Sequence, residues 1–229
     1  MDTLAIPPGG AILDLGSPKD LAVLLSRRRR CRVVAVDILE ETVRLSRRYA
    51  AAQGMDGEGA GLVESRVADG RALPFPDHSF DAAFSVSVLE HIPGNGDSAA
   101  ARELARILRP GGTLAITVPF AQVARDTFVQ GAVYERESLH GEPVFFERHY
   151  DHSSLRERLL GPSGLVIDRL EIWGEPRGRW ERLLGKSALA RKVLSPLEPM
   201  MSLLFLDPVP PDSSRAMAAF VLLRKAGPT

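Results

Sequence analysis

The sequence predicts an α/β protein: a three-layer sandwich with helices on both faces of a mostly parallel sheet. Three observations predict it. Short runs rich in apolar and β-branched residues recur at 11–15, 32–36, 62–67, 80–86 and 113–118, and runs of that length read as buried strands. Residues 18–29, 39–52 and 98–108 carry apolar residues at helical spacing. Strand and helix alternate along this stretch, which implies right-handed crossovers and parallel neighbours.

Each element has its own signal. The run 11–15 ends in Gly16, which suits a sharp turn. Leu21, Leu24 and Leu25 mark the first helix. Its end is the basic block Arg27-Arg28-Arg29-Arg30, read either as cations on the negative end of a helix dipole or as a phosphate-binding patch. Cys31 opens the second strand as a small core residue, and Asp37 closes that strand. Val43, Leu45 and Tyr49 are the apolar positions of the second helix. Glycines break the pattern over 54–61, and two prolines make 72–79 a loop. Residues 94–97 read as a loop before a helix with Leu104, Ile107 and Leu108 inward. Pro110-Gly111-Gly112 stops that helix, and Pro119 ends the fifth strand. Residues 120–150 show no clear period. A helix is expected at 153–160 and strands at 165–173 and 216–223, seven strands in all.

Composition bounds the function. The chain has 229 residues, enough for one sizeable core, so a single domain over 1–229 is expected. Lys plus Arg (29) balance Asp plus Glu (29), so no net charge draws the chain to nucleic acid or an anionic membrane. One cysteine excludes an internal disulfide. No basic segment followed by an apolar stretch opens the sequence, and no apolar run is long enough to span a bilayer. A cytoplasmic protein is the expectation.

Five segments follow one another in a meaningful order. They are Ile12-Leu13-Asp14-Leu15-Gly16; Val33-Val34-Ala35-Val36-Asp37; Ala68-Asp69-Gly70-Arg71-Ala72-Leu73-Pro74-Phe75; Phe80 to Ile92; and Ile107-Leu108-Arg109-Pro110-Gly111-Gly112-Thr113-Leu114. Together they resemble the class I S-adenosylmethionine-dependent methyltransferases of the small-molecule type, over residues 11–119. The resemblance implies a Rossmann-like fold whose seven-stranded sheet has an antiparallel last strand. It implies S-adenosylmethionine as cofactor, bound beyond the carboxyl ends of the strands where strand order reverses. Its implied binding residues are Asp14, Gly16, Ser17, Asp37, Ile38, Asp69, Gly70, Ser87, Val88 and His91.

In that scheme Asp14 lies near the amino-acid end of the cofactor, and Gly16 lets the backbone come close. Asp37 accepts from both ribose hydroxyls; its other reading is a helix N-cap. Asp69 accepts from the adenine amino group, or is a solvated turn residue. Ser87 and Val88 meet the methionine end. His91 either flanks the transferring methyl or packs a helix start.

The first turn departs from the family. A G-x-G-x-G stretch is usual there, and this chain has Gly16-Ser17-Pro18-Lys19-Asp20. Read from the residues, this is a capped helix start: Ser17 as N-cap, Pro18 in the first helical position, Asp20 as capping-box acid. The Ser17 hydroxyl and remaining amides still suit a carboxylate.

Methyl transfer from a sulfonium is an in-line displacement with a neutral leaving group, so no metal is expected. Alignment of donor and acceptor supplies most of the catalysis, and a general base helps where the acceptor is a hydroxyl. His140, His149 and Tyr150 are the candidate catalytic residues, since they follow the fifth strand, where a cover belongs. His140, His149 and His152 with Glu147 also make a weak metal-site pattern. Gly185-Lys186-Ser187 echoes a P-loop ending without its glycine-rich loop. The covers are expected from 120–152 and 174–214. The apolar stretch 180–205 reads as core, as a homodimer contact or as a hydrophobic lid. The expected reaction is methylation of a small or medium-sized organic acceptor, on oxygen or nitrogen, in a biosynthetic role. Two rivals stand beside it: a non-catalytic relative that kept the fold, and an NAD-dependent oxidoreductase, whose G-x-G-x-x-G is missing here.

Overall fold

The computed structural model describes residues 6–16, 19–131, 142–174 and 207–227. β1 (Ala11–Leu15) lies at the centre of the parallel part of the sheet, between β2 (Arg32–Asp37) and β4 (Phe80–Val86). β3 (Val63–Val67) extends the sheet beyond β2, and β5 (Leu108–Pro119) extends it beyond β4. β6 (Arg125–Val129) and β7 (Val144–His149) form a separate antiparallel ribbon. β8 (Val166–Gly174), β9 (Asp207–Pro208) and β10 (Ala216–Arg224) complete the main sheet in the order β3-β2-β1-β4-β5-β10-β8-β9. The seven expected strands are all present, and the last, β10, runs antiparallel to both its neighbours. The two-residue β9 adds an outer edge. Among the described residues, no helix is long and apolar enough to cross a membrane.

The strand runs are apolar on both faces because the sheet feeds two cores. Ile12, Val33 and Val63 pack with Ala22, Val23 and Leu25 of α1 (Lys19–Arg29) and Ala50 of α2 (Glu40–Ala52). Leu13, Leu15, Val34 and Val36 point the other way, towards Ala100, Leu104 and Ile107 of α3 (Gly96–Ile107). Alternation along a strand sends successive side chains to opposite faces. Burying each large aliphatic side chain contributes about 1.5–3 kcal/mol. Cys31 is wholly buried in the first of these cores, as expected, and burial pushes its thiol pKa up.

Four sequence expectations change. Leu45 and Tyr49 face outward, being 46% and 40% exposed, although both are apolar positions of a helix. The inner face of α2 is Val43, Ser46 and Ala50, small enough for the helix to lie close to the sheet, and Ser46 meets Ser65 through a hydroxyl pair at 3.0 Å. Leu24 of α1 is likewise 37% exposed. Residues 96–97 are the first turn of α3 rather than loop. Gly96 reads as a breaker by type, but a Cβ there would collide with Ile92 and crowd the Arg71 stem, so the close approach selects glycine. Finally, β5 begins at Leu108, and Pro110-Gly111-Gly112 lies in the bulge where its register with β4 shifts.

The stretch 120–150, without a visible period, holds the β6–β7 ribbon. After it, residues 152–163 form one helical run: α4 (His152–Leu155), a π-helical turn (Arg156–Leu160) and α5 (Gly161–Ser163). Asp151 caps it through a reciprocal box with Ser154.

Candidate functional site

Strand order reverses between β1 and β4, and a cavity of about 450 Å³ opens there, beyond the carboxyl ends of β1 to β4. That volume is in the range of pockets for cofactor-sized molecules. Leu15 and Gly16 enter it from β1, Asp37 to Leu39 and Thr42 from the β2–α2 junction, Ala68 to Arg71 from the end of β3, and Ser87, Val88, His91, Ile92 and Pro93 from the end of β4.

Gly16 sits at φ +65°, and a Cβ there would press on both Val88 methyls at 3.0 Å. Only glycine allows this turn and this closeness together. Its amide donates to the Val36 carbonyl at 2.8 Å. Asp37 accepts from the Leu39 amide at 2.9 Å, which orients the carboxylate at the cavity wall. It does not cap α2, whose N-cap is Leu39 without a side-chain bond. Ile38 is 54% exposed beside it, an apolar surface for a flat ring. Asp69 is held by the Arg71 guanidinium and amide, with contacts of 2.6 to 3.0 Å. Hydrogen bonds from Arg71 hold its carboxyl pKa below the usual range. A carboxylate on the β2 side, an apolar shelf and a second carboxylate are the set of groups that a ribose and an aminopurine need.

The other end of the cavity is the turn after β4. Ser87 adopts φ +54°, a left-handed conformation uncommon outside glycine, and its amide donates to the Thr117 carbonyl at 3.1 Å. A short 3-10 helix, Leu89–His91, follows. The ring Nδ1 of His91 lies 2.8 Å from the Phe146 carbonyl of β7. A carbonyl only accepts, so Nδ1 carries the proton, and the neutral ring has its lone pair on Nε2. The Phe146 ring packs at 5.2 Å. Glu90, one residue earlier, is 1% exposed, and its Oε2 has no hydrogen-bond partner among the described residues. Burial pushes its carboxyl pKa up to about 8, and the nearby Glu147 adds to the rise.

β7 is fastened over this end by a buried ionic centre. Asp97, fully buried, accepts from Arg148 Nη1 at 2.8 Å, the Tyr150 hydroxyl at 2.9 Å and Arg158 Nε at 2.8 Å. Arg148 also donates to Asp126 of β6 through Nε and Nη2. The ribbon, the residue after it and the π turn therefore all converge on the first turn of α3.

The cavity brings together Gly16, Asp37, Ile38, Asp69, Gly70, Ser87, Val88 and His91. Asp14 is 2% exposed and lines a small crevice behind Gly16 and Asp37 instead. Ser17 and His140 lie outside the described residues, as do the expected helix cap at 17–18, the Gly185-Lys186-Ser187 echo and the apolar stretch 180–205. Tyr150 is a correction: it is fully buried, its hydroxyl donates to Asp97, and burial followed by that carboxylate pushes its pKa well up, so it serves the core and not the chemistry. His149 is engaged through Nε2 with Glu147 at 3.0 Å and through Nδ1 with Arg125 at 3.3 Å, and is not part of the cavity wall. Arg71, Thr42 and Ile92 line the cavity beyond the expected set. Arg71 has a signal in sequence, two residues from Asp69; the others have none.

Residues 13–116 match the family model described as a methyltransferase domain. The nocamycin O-methyltransferase of Saccharothrix syringae is 34% identical over 126 residues, covering 52% of this chain and 41% of its own length. The 27-O-demethylrifamycin SV methyltransferase of Amycolatopsis mediterranei is 31% identical over 114 residues, 49% of this chain and 40% of its own. The chain spans less than half the length of the curated relatives it matches. Among solved structures, an S-adenosylmethionine-dependent methyltransferase from Methanosarcina mazei superposes with a TM-score of 0.63 at 19% identity, covering 97% of this chain and 95% of that one, a likeness of fold.

Proposed function

We propose that this chain, a class I S-adenosylmethionine-dependent methyltransferase across residues 13–116, transfers a methyl group from that cofactor to a small or medium-sized organic acceptor. The observation that carries the reading is one continuous cavity with Asp37, Ile38 and Asp69 at one end and Ser87, Val88 and His91 at the other. When bound, the cofactor supplies an electrophilic methyl on a sulfonium. Asp37 receives the ribose hydroxyls, Ile38 supports the base, and Asp69 accepts from its amino group. Gly16 brings backbone close to the amino-acid portion. The β6–β7 ribbon shields the methyl end from water and holds the acceptor in line.

His91 is the residue best placed to take the acceptor's proton. It lines the cavity, and the Phe146 carbonyl fixes the tautomer that leaves Nε2 basic. Oxygen is the favoured acceptor atom, because the matched relatives include an O-methyltransferase and a 27-O-demethylrifamycin methyltransferase, and a biosynthetic role follows the same likeness. One domain with covers from 120–152 and 174–214 completes the design.

Calorimetry with S-adenosylmethionine and S-adenosylhomocysteine tests the reading, followed by a screen of hydroxylated acceptors with methyl-labelled cofactor. Micromolar binding of both ligands is expected. No binding of either by folded protein would overturn it in favour of a non-catalytic relative.

A further inference from the structure

Glu90 is not explained by the contacts that explain its neighbours. It occupies the 3-10 turn between Val88 and His91, both of which line the cavity, yet it is 1% exposed. The Ser87 side chain and the residue's own backbone stabilise its charged form. Its Oε2 has no partner among the described residues, and neither has the Thr117 hydroxyl on the adjoining β5. A buried polar atom left unpaired is expensive and rarely kept without a use. No cation among the described residues answers it. The charged and titratable groups around it are Glu147 on β7 and Tyr150 just beyond, with Arg148 and Asp97 behind that tyrosine, and His91 on the same turn. Arg148 is engaged by Asp97 and Asp126. β5 brings Thr117 beside it, while its one charged residue, Arg109 at the start of the strand, pairs with Asp81.

This is a carboxyl directly behind the wall that receives the methionine end of the cofactor. We propose that Glu90 answers the charge of the cofactor: it gives up its proton when the cationic S-adenosylmethionine binds, and takes one back when transfer leaves neutral S-adenosylhomocysteine. The inference rests on the cofactor position proposed above. A buried carboxyl without a cation favours its neutral form, and a positive charge arriving within a few ångströms favours the anion. The electrostatic balance of the reaction then closes within the site. The methyl–sulfur bond breaks, its electron pair stays on sulfur, and a methyl–oxygen bond forms. The acceptor loses one proton, and Glu90 gains one by exchange with solvent. Carboxylate plus sulfonium plus hydroxyl become carboxylic acid plus thioether plus ether, neutral on both sides. Glu90 thus makes the site hold substrate cofactor more tightly than product, whose sulfur carries no charge to pair with it.

The test is calorimetry of both ligands in buffers of different ionisation heat, which counts protons released. Near pH 7, S-adenosylmethionine is expected to release up to one more proton from the wild-type protein than from Glu90→Gln. S-adenosylhomocysteine is expected to show no such difference. The affinity ratio of cofactor to product should rise by up to about tenfold per pH unit on approaching pH 8, level off above it, and lose that rise in Glu90→Gln. Infrared difference spectra of the wild type give a readout that needs no variant: a protonated carboxyl band that disappears with cofactor and persists with product. Equal proton release by the two ligands, or release unchanged in Glu90→Gln, would overturn the proposal while leaving the cofactor site intact. Absence of binding by either ligand overturns the cofactor reading as well.

Discussion

At the β2–β3 end of the cavity, Asp37 and Asp69 hang from strand termini and are set by groups two residues away: the Leu39 amide and the Arg71 side chain. At the β4 end, the equivalent residues depend on chain fifty or more positions later. His91 is oriented by Phe146, and the ribbon that bears Phe146 is tied through Arg148 and Tyr150 to Asp97. The two halves of the site therefore have separate tolerances. The β2–β3 end is local and built into the sheet, whereas the β4 end takes its shape from the ribbon packed against it. Substitutions should therefore separate binding from turnover.

The sharpest separation is expected from His91→Ala. Removing a positioned base lowers rates by about 10²- to 10⁴-fold. Steady-state turnover should fall by that order while calorimetric affinity for S-adenosylmethionine stays within a few-fold. An equal loss in both would make His91 a binding residue and blur the division of the cavity.

Asp97→Asn attacks the docking itself. It leaves Arg148 and Arg158 facing an amide at a buried position, and breaking a buried pair typically destabilises by about 3–5 kcal/mol. The denaturant midpoint should drop accordingly. If stability is lost but the β2–β3 end still binds adenosine, the two ends are independent.

Glu90→Gln is expected to act in the opposite direction. The Glu90 carboxyl is raised from its ordinary 4.5 to about 8. Between those values the unfolded chain is ionised there and the folded chain is not, so stability declines as pH rises from about 4.5 to about 8 and is level above. The glutamine variant lacks that decline. At pH 7 it should be more stable by roughly 3 kcal/mol, since each pH unit between the ordinary value and pH 7 contributes about 1.36 kcal/mol. Chemical melts of both proteins at about pH 5, 7 and 8.5 check the slope as well as the size. A side chain that lowers stability where a neutral isostere would raise it fits a role in function.

Asp37→Ala tests the local end. Hydrogen bonds to a charged group contribute about 1.5–3 kcal/mol, so affinity for S-adenosylmethionine should weaken by roughly 10- to 100-fold with the melting temperature nearly unchanged. The smallest effect is expected from Arg71→Ala. Arg71 holds the Asp69 carboxyl low, and that pairing adds stability above the ordinary carboxylate range and is lost as pH falls below it. Both groups are partly open to solvent, so the change at pH 7 should stay below about 1 kcal/mol. Melts at pH 7 and about pH 3 should show the gap closing in acid.

The parallel sheet, its strand positions and the residues at the β2–β3 end of the cavity were legible in the sequence, because those depend on short-range signals. A β-branched run makes its own strand, and the residue that ends the strand is delivered to the cavity mouth by topology. Gly16, Asp37 and Asp69 are legible for that reason. Side-chain direction on helices is less so: Leu45 and Tyr49 have the right character and the wrong face, since closeness to the sheet favours Ser46 and Ala50. Residues 96–97 look like loop because a glycine demanded by Ile92 is the same in sequence as a glycine that ends a helix. Tyr150 looks like a base because its place after β5 is visible, while its burial against Asp97 is not.

The β4 end of the cavity became readable only in three dimensions. Asp97, Arg148 and Tyr150 carry no mutual spacing in sequence; their pairing is the product of the β6–β7 ribbon folding back on α3. Glu90 is plain to read as part of Leu89-Glu90-His91, but its chemistry follows from having water removed and no cation put in its place. Burial is a property of the assembled layers, and a carboxyl's charge depends on it.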